Sequence, residues 1–203
     1  MKKESTAGII LAAGMSTRLG QLKQLQKVGE KTILSMVIDA ALFSDLDKIL
    51  LVLGHQSDKI IAGMGDKLRN SKLSVIINSR YQEGMSTSIQ CAMEMIKDEF
   101  SSFMIILGDQ PLLSKDTINF ILSRFWASNK GICVPVHKGK RGPPVCFSNE
   151  FYDDIFNISG DIGAREIIKN KPEHILDVEI EDSDCFFDID NEADLERLLS
   201  RMK

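Results

Sequence analysis

The 203-residue chain is 43 % hydrophobic and 27 % charged, with a formal net charge of −4. That balance suits a sizeable buried core, and its slight acidity argues against a nucleic-acid partner, which would require a basic face to neutralise phosphates. No apolar run approaches the roughly 20 residues of a membrane span, and the start, Met1-Lys2-Lys3-Glu4-Ser5-Thr6, has no signal-peptide core, so a cytoplasmic protein with no membrane partner is expected. The four cysteines, Cys91, Cys133, Cys146 and Cys185, include no C-x-x-C pair and read as free thiols of a reducing compartment.

Short β-branched runs alternate with helical patterns along the chain. Residues 7–12 predict a first strand, followed by a glycine-containing loop and a helix over 32–43 with a core stripe of Ile33, Val37, Ile38 and Ala41. Strands follow at 48–53 and 73–78, and then a helix with Ile89, Met93, Ile96 and Phe100 on its apolar face. Residues 103–107 predict a buried strand. The next helix carries Ile118, Ile121, Leu122 and Phe125, with Ser114 placed to cap it. Strands at 132–136, 145–147 and 175–180 precede a last helix with Leu195, Leu198, Leu199 and Met202. Several strands are nearly continuous apolar runs, as in central strands covered on both faces. The pattern predicts one α/β domain over residues 1–203: a three-layer α/β/α, Rossmann-like fold with a mainly parallel sheet, and ligands at the carboxyl ends of its strands.

The loop after the first strand, Leu11-Ala12-Ala13-Gly14-Met15-Ser16-Thr17-Arg18-Leu19-Gly20-Gln21-Leu22-Lys23, has the chemistry of a triphosphate cradle. Small residues let main-chain N–H groups approach an anion, and Arg18 and Lys23 supply two cations to a developing transition state. It is not a P-loop, because the spacing from Gly14 to Gly20 is wrong and Gln21 follows Gly20. Nor is it a dinucleotide loop, since Ser16 stands where the second glycine would be, and the second strand ends in Gly54-His55 without a ribose-binding acid. His55 reads as a loop histidine.

Gly108-Asp109-Gln110-Pro111 follows a buried strand, so Asp109 suits a magnesium ligand and equally a turn residue. In Asp188-Ile189-Asp190-Asn191-Glu192-Ala193-Asp194, Asp188 and Asp190 would share a side if a strand continued that far. Asp190 or Asn191 could also simply cap the last helix. Glu83-Gly84-Met85-Ser86-Thr87-Ser88 opens a helix whose amides and hydroxyls suit a base edge, ribose or phosphate, or ordinary capping. The basic loop Lys138-Gly139-Lys140-Arg141-Gly142-Pro143-Pro144 suits a phosphorylated second substrate or a solvated hairpin. Asp161 and Arg165, four apart, would pair on one helix turn.

These segments together resemble the MobA-like nucleotidyltransferases, and among them the molybdenum cofactor cytidylyltransferases. The first loop is similar to that family's L-A-A-G-x-S-x-R-x-G-x-x-K signature, and its Ala12-Ala13-Gly14 resembles the CTP-using branch. The resemblance implies nucleotide binding by Leu11, Ala12, Ala13, Gly14, Ser16, Thr17, Arg18, Lys23, Gly84, Met85, Ser86, Ser88 and Gly108. It implies an acceptor site of Arg141, Gly142, Pro143, Asp161 and Arg165, and a Mg²⁺ held by Asp109 and Asp190, with Arg18, Lys23 and Asp109 carrying catalysis. Pro143 stands where histidine is common, and Asn191-Glu192 replaces Thr-Pro. The implied reaction transfers CMP from CTP to a phosphorylated acceptor, with molybdopterin favoured and a molybdoenzyme or its chaperone as the protein partner. A sugar, alditol or isoprenoid phosphate acceptor, or a non-catalytic nucleotide-binding protein that delivers a cofactor, are the alternatives.

Overall fold

The computed structural model describes residues 4–15, 22–96 and 99–201. The chain enters β1 (Thr6–Ala12), then a two-stranded hairpin of β2 (Lys27–Val28) and β3 (Lys31–Thr32), which runs into α1 (Ile33–Leu42). Thr32 starts α1 with a reciprocal cap: its hydroxyl accepts the Ser35 N–H while the Ser35 hydroxyl accepts the Thr32 N–H. β4 (Lys48–Leu53), α2 (Ser57–Met64), β5 (Leu73–Ile77), α3 (Met85–Ile96), β6 (Ser102–Leu107) and α4 (Lys115–Trp126) follow. The remainder is β7 (Ile132–His137), β8 (Lys140–Arg141), β9 (Val145–Ser148), α5 (Tyr152–Phe156), α6 (Arg165–Asn170), β10 (Ile175–Glu179) and α7 (Glu192–Arg201).

The main sheet has the order β10-β7-β9-β6-β1-β4-β5, with β8 paired to β7. β1 pairs in parallel with β4 on one side and β6 on the other, and β4 in parallel with β5. The chain therefore builds outward from β1 to β5 and then returns to the opposite side of β1 with β6. That reversal is a topological switch point, where loops leaving the carboxyl ends of β1 and β6 diverge and open a crevice. β9 is antiparallel to both β6 and β7, and β10 is parallel to β7, so the sheet is mainly parallel as expected.

Strand alternation divides the core between two faces. Ile10 and Ala12 of β1, with Leu51 and Leu53 of β4, pack under α1, α2 and α4 through Leu34, Val37, Ile38, Ile60 and Ile118. The intervening positions Ala7, Ile9 and Leu11 pack on the other face with Ile89, Ala92 and Met93 of α3 and Ile167 of α6. A third, smaller cluster joins Val28 and Ile33 to Ile189 and Leu198, and it fixes where the carboxyl-terminal segment docks.

All seven predicted strands form. Three helices, α2, α5 and α6, are additional to the sequence reading; each is short, and none carries a long apolar stripe. α3 ends at Ile96, so Phe100 packs against the core from beyond the helix. Leu199 is partly exposed on α7, at 37 %, and Met202 lies outside the described residues. No helix among the described residues is long and apolar enough to cross a membrane.

The described cysteines are free. Burial pushes the Cys133 thiol up to about 12 and the Cys185 thiol up to about 11, and holds that of Cys146 well above the usual thiol range, whereas Cys91 is only half-buried. A thiol reagent at neutral pH should therefore modify Cys91 at least about tenfold faster than the other three, which react only on unfolding. Mass-mapped labelling kinetics check this, and equal rates at all four would contradict it.

Candidate active site

β1 delivers Ala13 and Gly14 to the crevice, and two anchors hold the main chain there. The His55 N–H donates to the Ala13 carbonyl at 3.1 Å. The buried Gln24 carboxamide donates from Nε2 to the carbonyls of Ala12 at 3.2 Å and Gly14 at 3.3 Å, closing the loop onto itself. Gln24 sits in a 3₁₀ turn, Lys23–Leu25, so the same turn that locks the loop also places Lys23. Ser16, Thr17 and Arg18 lie outside the described residues.

β6 ends beside β1, where the Gly108 N–H donates to the Leu11 carbonyl at 2.9 Å. A Cβ on Gly108 would stand 2.9 Å from both the Ala12 Cβ and the Leu11 oxygen, so only glycine lets the two strand ends lie this close. Asp109 is the next residue, and Lys23 Nζ lies 2.6 Å from its Oδ2. The Ile189 N–H donates to the Asp109 carbonyl at 3.1 Å, and Gln110 Nε2 donates to Asp188 Oδ1 at 2.7 Å. Together these bonds tie the carboxyl-terminal acidic segment to the end of β6.

No strand continues to residue 188, since β10 stops at Glu179. The buried Ile189 instead anchors the segment in the small third cluster, and the flanking Asp188 and Asp190 both act on the Asp109–Lys23 pair. Asp190 Oδ1 lies 3.8 Å from Lys23 Nζ. Asp190 is not the helix cap: Asn191 Oδ1 accepts the Asp194 N–H at 3.1 Å, and the Asp194 carboxylate accepts the Asn191 N–H at 3.2 Å. Burial, then the neighbouring charge of Asp109, pushes the Asp188 carboxyl above the usual carboxylate range, with Asp190 adding to the rise and Gln110 and Lys23 opposing it.

As the side chains stand, no group of three or more His, Cys, Asp or Glu residues among those described is arranged to hold a metal. The donor chemistry nevertheless fits a hard divalent cation such as Mg²⁺, which takes one or two carboxylates and completes its shell with phosphate oxygens and water. Asp109 Oδ1 is buried without a hydrogen-bond partner among the described residues, and the Asp109–Asp190 pair already faces a cation, the Lys23 ammonium.

The turn before α3 forms the opposite wall. The buried Asn78 donates from Nδ2 to Thr87 Oγ1 at 2.9 Å and to Ser88 Oγ at 3.0 Å, and Thr87 Oγ1 donates to the Gly84 carbonyl at 2.9 Å. The hydroxyls of Thr87 and Ser88 thus serve the turn, while Gly84, Met85 and Ser88 line a cavity of about 240 Å³ with Leu11, Ala12, Ala13, Gly14, Lys23, Gly108 and Asp109. Ser86 is buried and is not part of that lining. Gly84 has φ +115°, and a Cβ there would come within 2.4 Å of the Gly160 carbonyl carbon.

A second cavity, of about 340 Å³, adjoins the first. Arg141, Gly142, Pro143, Asp161 and Arg165 all line it, against an apolar floor that includes Ile105, Leu107, Val134 and Val145. Met85, Leu107 and Asp161 belong to both cavities. Asp161 does not pair with Arg165: it precedes α6, and its Oδ1 accepts the Met85 N–H at 3.1 Å, bracing the shared wall. Arg141 is held by Asp177 through two bonds of 2.7 Å. Lys138 and Gly139, both at positive φ, turn the exposed β7–β8 hairpin, so the lysines at its tip stay in solvent.

Three site residues were not legible in sequence. Gln24 and Gln110 are unremarkable as letters, and only their burial beside carbonyl and carboxylate partners reveals a role. Tyr81 lines the first cavity, with its hydroxyl 3.4 Å from His55 Nδ1.

Comparison with known proteins agrees with this architecture. The MobA-like NTP transferase domain matches residues 8–176. The chain is 28 % identical over 187 residues to the molybdenum cofactor cytidylyltransferase of Escherichia coli (strain K12), covering 92 % of this chain and 91 % of that one. It is also 28 % identical over 174 residues to the purine catabolism protein PucB of Bacillus subtilis (strain 168), covering 84 % and 83 %. The crystal structure of Rv0371c from Mycobacterium tuberculosis H37Rv superposes with a TM-score of 0.85 at 25 % identity, over 98 % of this chain and all of that one. With a two-cavity crevice at its switch point and a family match over most of its length, the chain belongs to the MobA-like NTP transferase family and is an enzyme of the nucleotidyltransferase class.

Proposed function

We propose that this enzyme transfers CMP from CTP to a phosphorylated acceptor, molybdopterin or its molybdenum-loaded form, with release of pyrophosphate. The observation that carries this reading is the pair of cavities divided by one wall of Met85, Leu107 and Asp161. The cavity beside Gly14 and Lys23 takes the triphosphate. The other offers Arg165 to an anionic acceptor and an apolar floor to a flat heteroaromatic body, a surface that a sugar or alditol phosphate would leave unmatched. The similarity to a molybdenum cofactor cytidylyltransferase over most of the chain supports the same choice of nucleotide and acceptor.

In this reaction an acceptor phosphate oxygen attacks the α-phosphorus of CTP. A new P–O bond forms, the α–β P–O bond breaks, and its electron pair leaves with pyrophosphate. The attacking oxygen is already anionic, so no protein base is required. The protein's contribution is placement and charge. Gln24 and the His55 N–H hold the carbonyls of Ala12, Ala13 and Gly14, which fixes the main chain at the mouth of the triphosphate cavity. Asp109 and Asp190 would hold Mg²⁺, which when bound offsets charge on the phosphate oxygens. Lys23, and by expectation Arg18, add positive charge on the leaving side.

The direct test is pyrophosphate release from CTP, with and without molybdopterin, in the presence of magnesium. Release should require all three, and CTP should be used at least about tenfold better than GTP in direct competition, a margin that one mismatched base contact supplies. Preference for GTP would reverse the nucleotide assignment, and equal turnover with a simple sugar phosphate would reverse the acceptor assignment.

Asp109→Asn and Asp190→Asn should each lower turnover by at least about 100-fold with little change in melting temperature. Asn191→Ala should do the opposite, costing about 1 kcal/mol of stability as a lost cap while leaving most of the activity. Stopped-time assays and thermal melts of the three variants check the contrast. An active Asp190→Asn enzyme with unchanged magnesium dependence would remove Asp190 from the metal site.

A further inference from the structure

Lys23 stands where a divalent cation would be expected to stand. Its ammonium lies 2.6 Å from Asp109 Oδ2 and 3.8 Å from Asp190 Oδ1, and its side chain is only 14 % exposed. Asp188, fastened behind the pair by Gln110, adds a third carboxyl to the same neighbourhood. Without a counter-cation these groups would repel one another in a partly buried setting, so the lysine supplies what the free enzyme needs. A metal ion bound between Asp109 and Asp190 and an ammonium in the same gap would repel each other at short range. One of them must leave.

The lysine has somewhere to go. Its side chain also lines the cavity formed with Ala13 and Gly14. Its backbone is held by the 3₁₀ turn whose next residue, Gln24, is bonded to the carbonyls of Ala12 and Gly14. Rotation of the side chain alone can therefore carry the ammonium from the carboxylates to an anion in the cavity, with the main chain unmoved.

We propose that Lys23 is the resident counter-cation of the Asp109–Asp190 pair in the nucleotide-free enzyme, and that the triphosphate admits the divalent metal by drawing Lys23 away. This rests on the metal and nucleotide site proposed above. Metal and nucleotide then assist each other's binding by the same factor, because each favours the state in which Lys23 has left the carboxylates. The nucleotide-free enzyme consequently holds divalent metal poorly, and the metal arrives with its triphosphate.

The test uses Mn²⁺ alone, followed by its free-ion electron paramagnetic resonance signal, on nucleotide-free wild-type enzyme and on Lys23→Met. The variant should bind Mn²⁺ at least about tenfold more tightly than wild type, since its carboxylates have lost the ammonium that stands between them. In parallel, mass-mapped acylation of Lys23 in the wild-type enzyme should accelerate when Mn²⁺ is added at saturating concentration. This second measurement decides the matter if Lys23→Met fails to fold. Equal Mn²⁺ affinity in the two proteins, binding by neither, or Lys23 acylation unchanged by Mn²⁺ would show that the lysine does not guard the site, and the proposal would be wrong. Metal-dependent pyrophosphate release in the wild type would then still uphold the metal site, whereas undiminished release in excess chelator would remove that site as well.

Discussion

The parallel pairing of β1 with β6, running from Thr6 opposite Ser102 to Leu11 opposite Leu107, sets the level at which everything else in the crevice is placed. It is closed at the top by the bond from the Gly108 N–H to the Leu11 carbonyl, a contact that the missing Cβ of Gly108 permits. Beyond that bond the two chains part. One gives the Ala13–Gly14 turn and, through the turn at Lys23–Leu25, a cation; the other gives Asp109. The ion pair of 2.6 Å between residues 86 positions apart in sequence joins the end of β6 to a 3₁₀ turn that Gln24 bonds back to the end of β1.

The carboxyl-terminal segment joins this arrangement by a different principle. It brings no strand to the rim, only one buried isoleucine. Ile189 fits among Val28, Ile33 and Leu198, and the flanking Asp188 and Asp190 are thereby committed to the carboxylate of Asp109. The cost is visible in the Asp188 carboxyl, which burial and its acidic neighbours hold above the normal carboxylate range. Such concentrated negative charge is what the metal site proposed above would use. Across the crevice, the glycine contact between Gly84 and Gly160 and the Asp161–Met85 bond keep the wall between the two cavities thin. A thin wall suits the proposed reaction, in which an acceptor phosphate oxygen must reach the α-phosphorus.

Much of this was readable in the sequence because it depends on local chemistry. Continuous apolar runs marked the central strands, and an aspartate directly after such a run had to emerge at the sheet's edge. The small-residue loop and Lys23 stood out without tertiary information, while Arg18 lies outside the described residues. What sequence could not settle were choices made by packing. Whether Asp190 or Asn191 caps α7 depends on whose side chain accepts the Asp194 N–H, and the answer is Asn191, although the amides of both donate to the Asp194 carboxylate. Asp161 and Arg165, suitably spaced for an ion pair, were separated because the helix begins only at Arg165 and the Met85 amide offered Asp161 a better partner. Gln24 gave no signal, and Gln110 only its place in the Gly108-Asp109-Gln110-Pro111 segment; the role of each shows once it is buried.

The central claim is a single direct displacement between two adjoining cavities, with no covalent enzyme intermediate. The stereochemical course at the α-phosphorus tests it most directly, using CTP with a sulfur of known configuration on that phosphorus and analysis of the dinucleotide product. One in-line attack predicts inversion of configuration. Retention would require two successive displacements and hence a nucleophile from the protein, and would contradict the account.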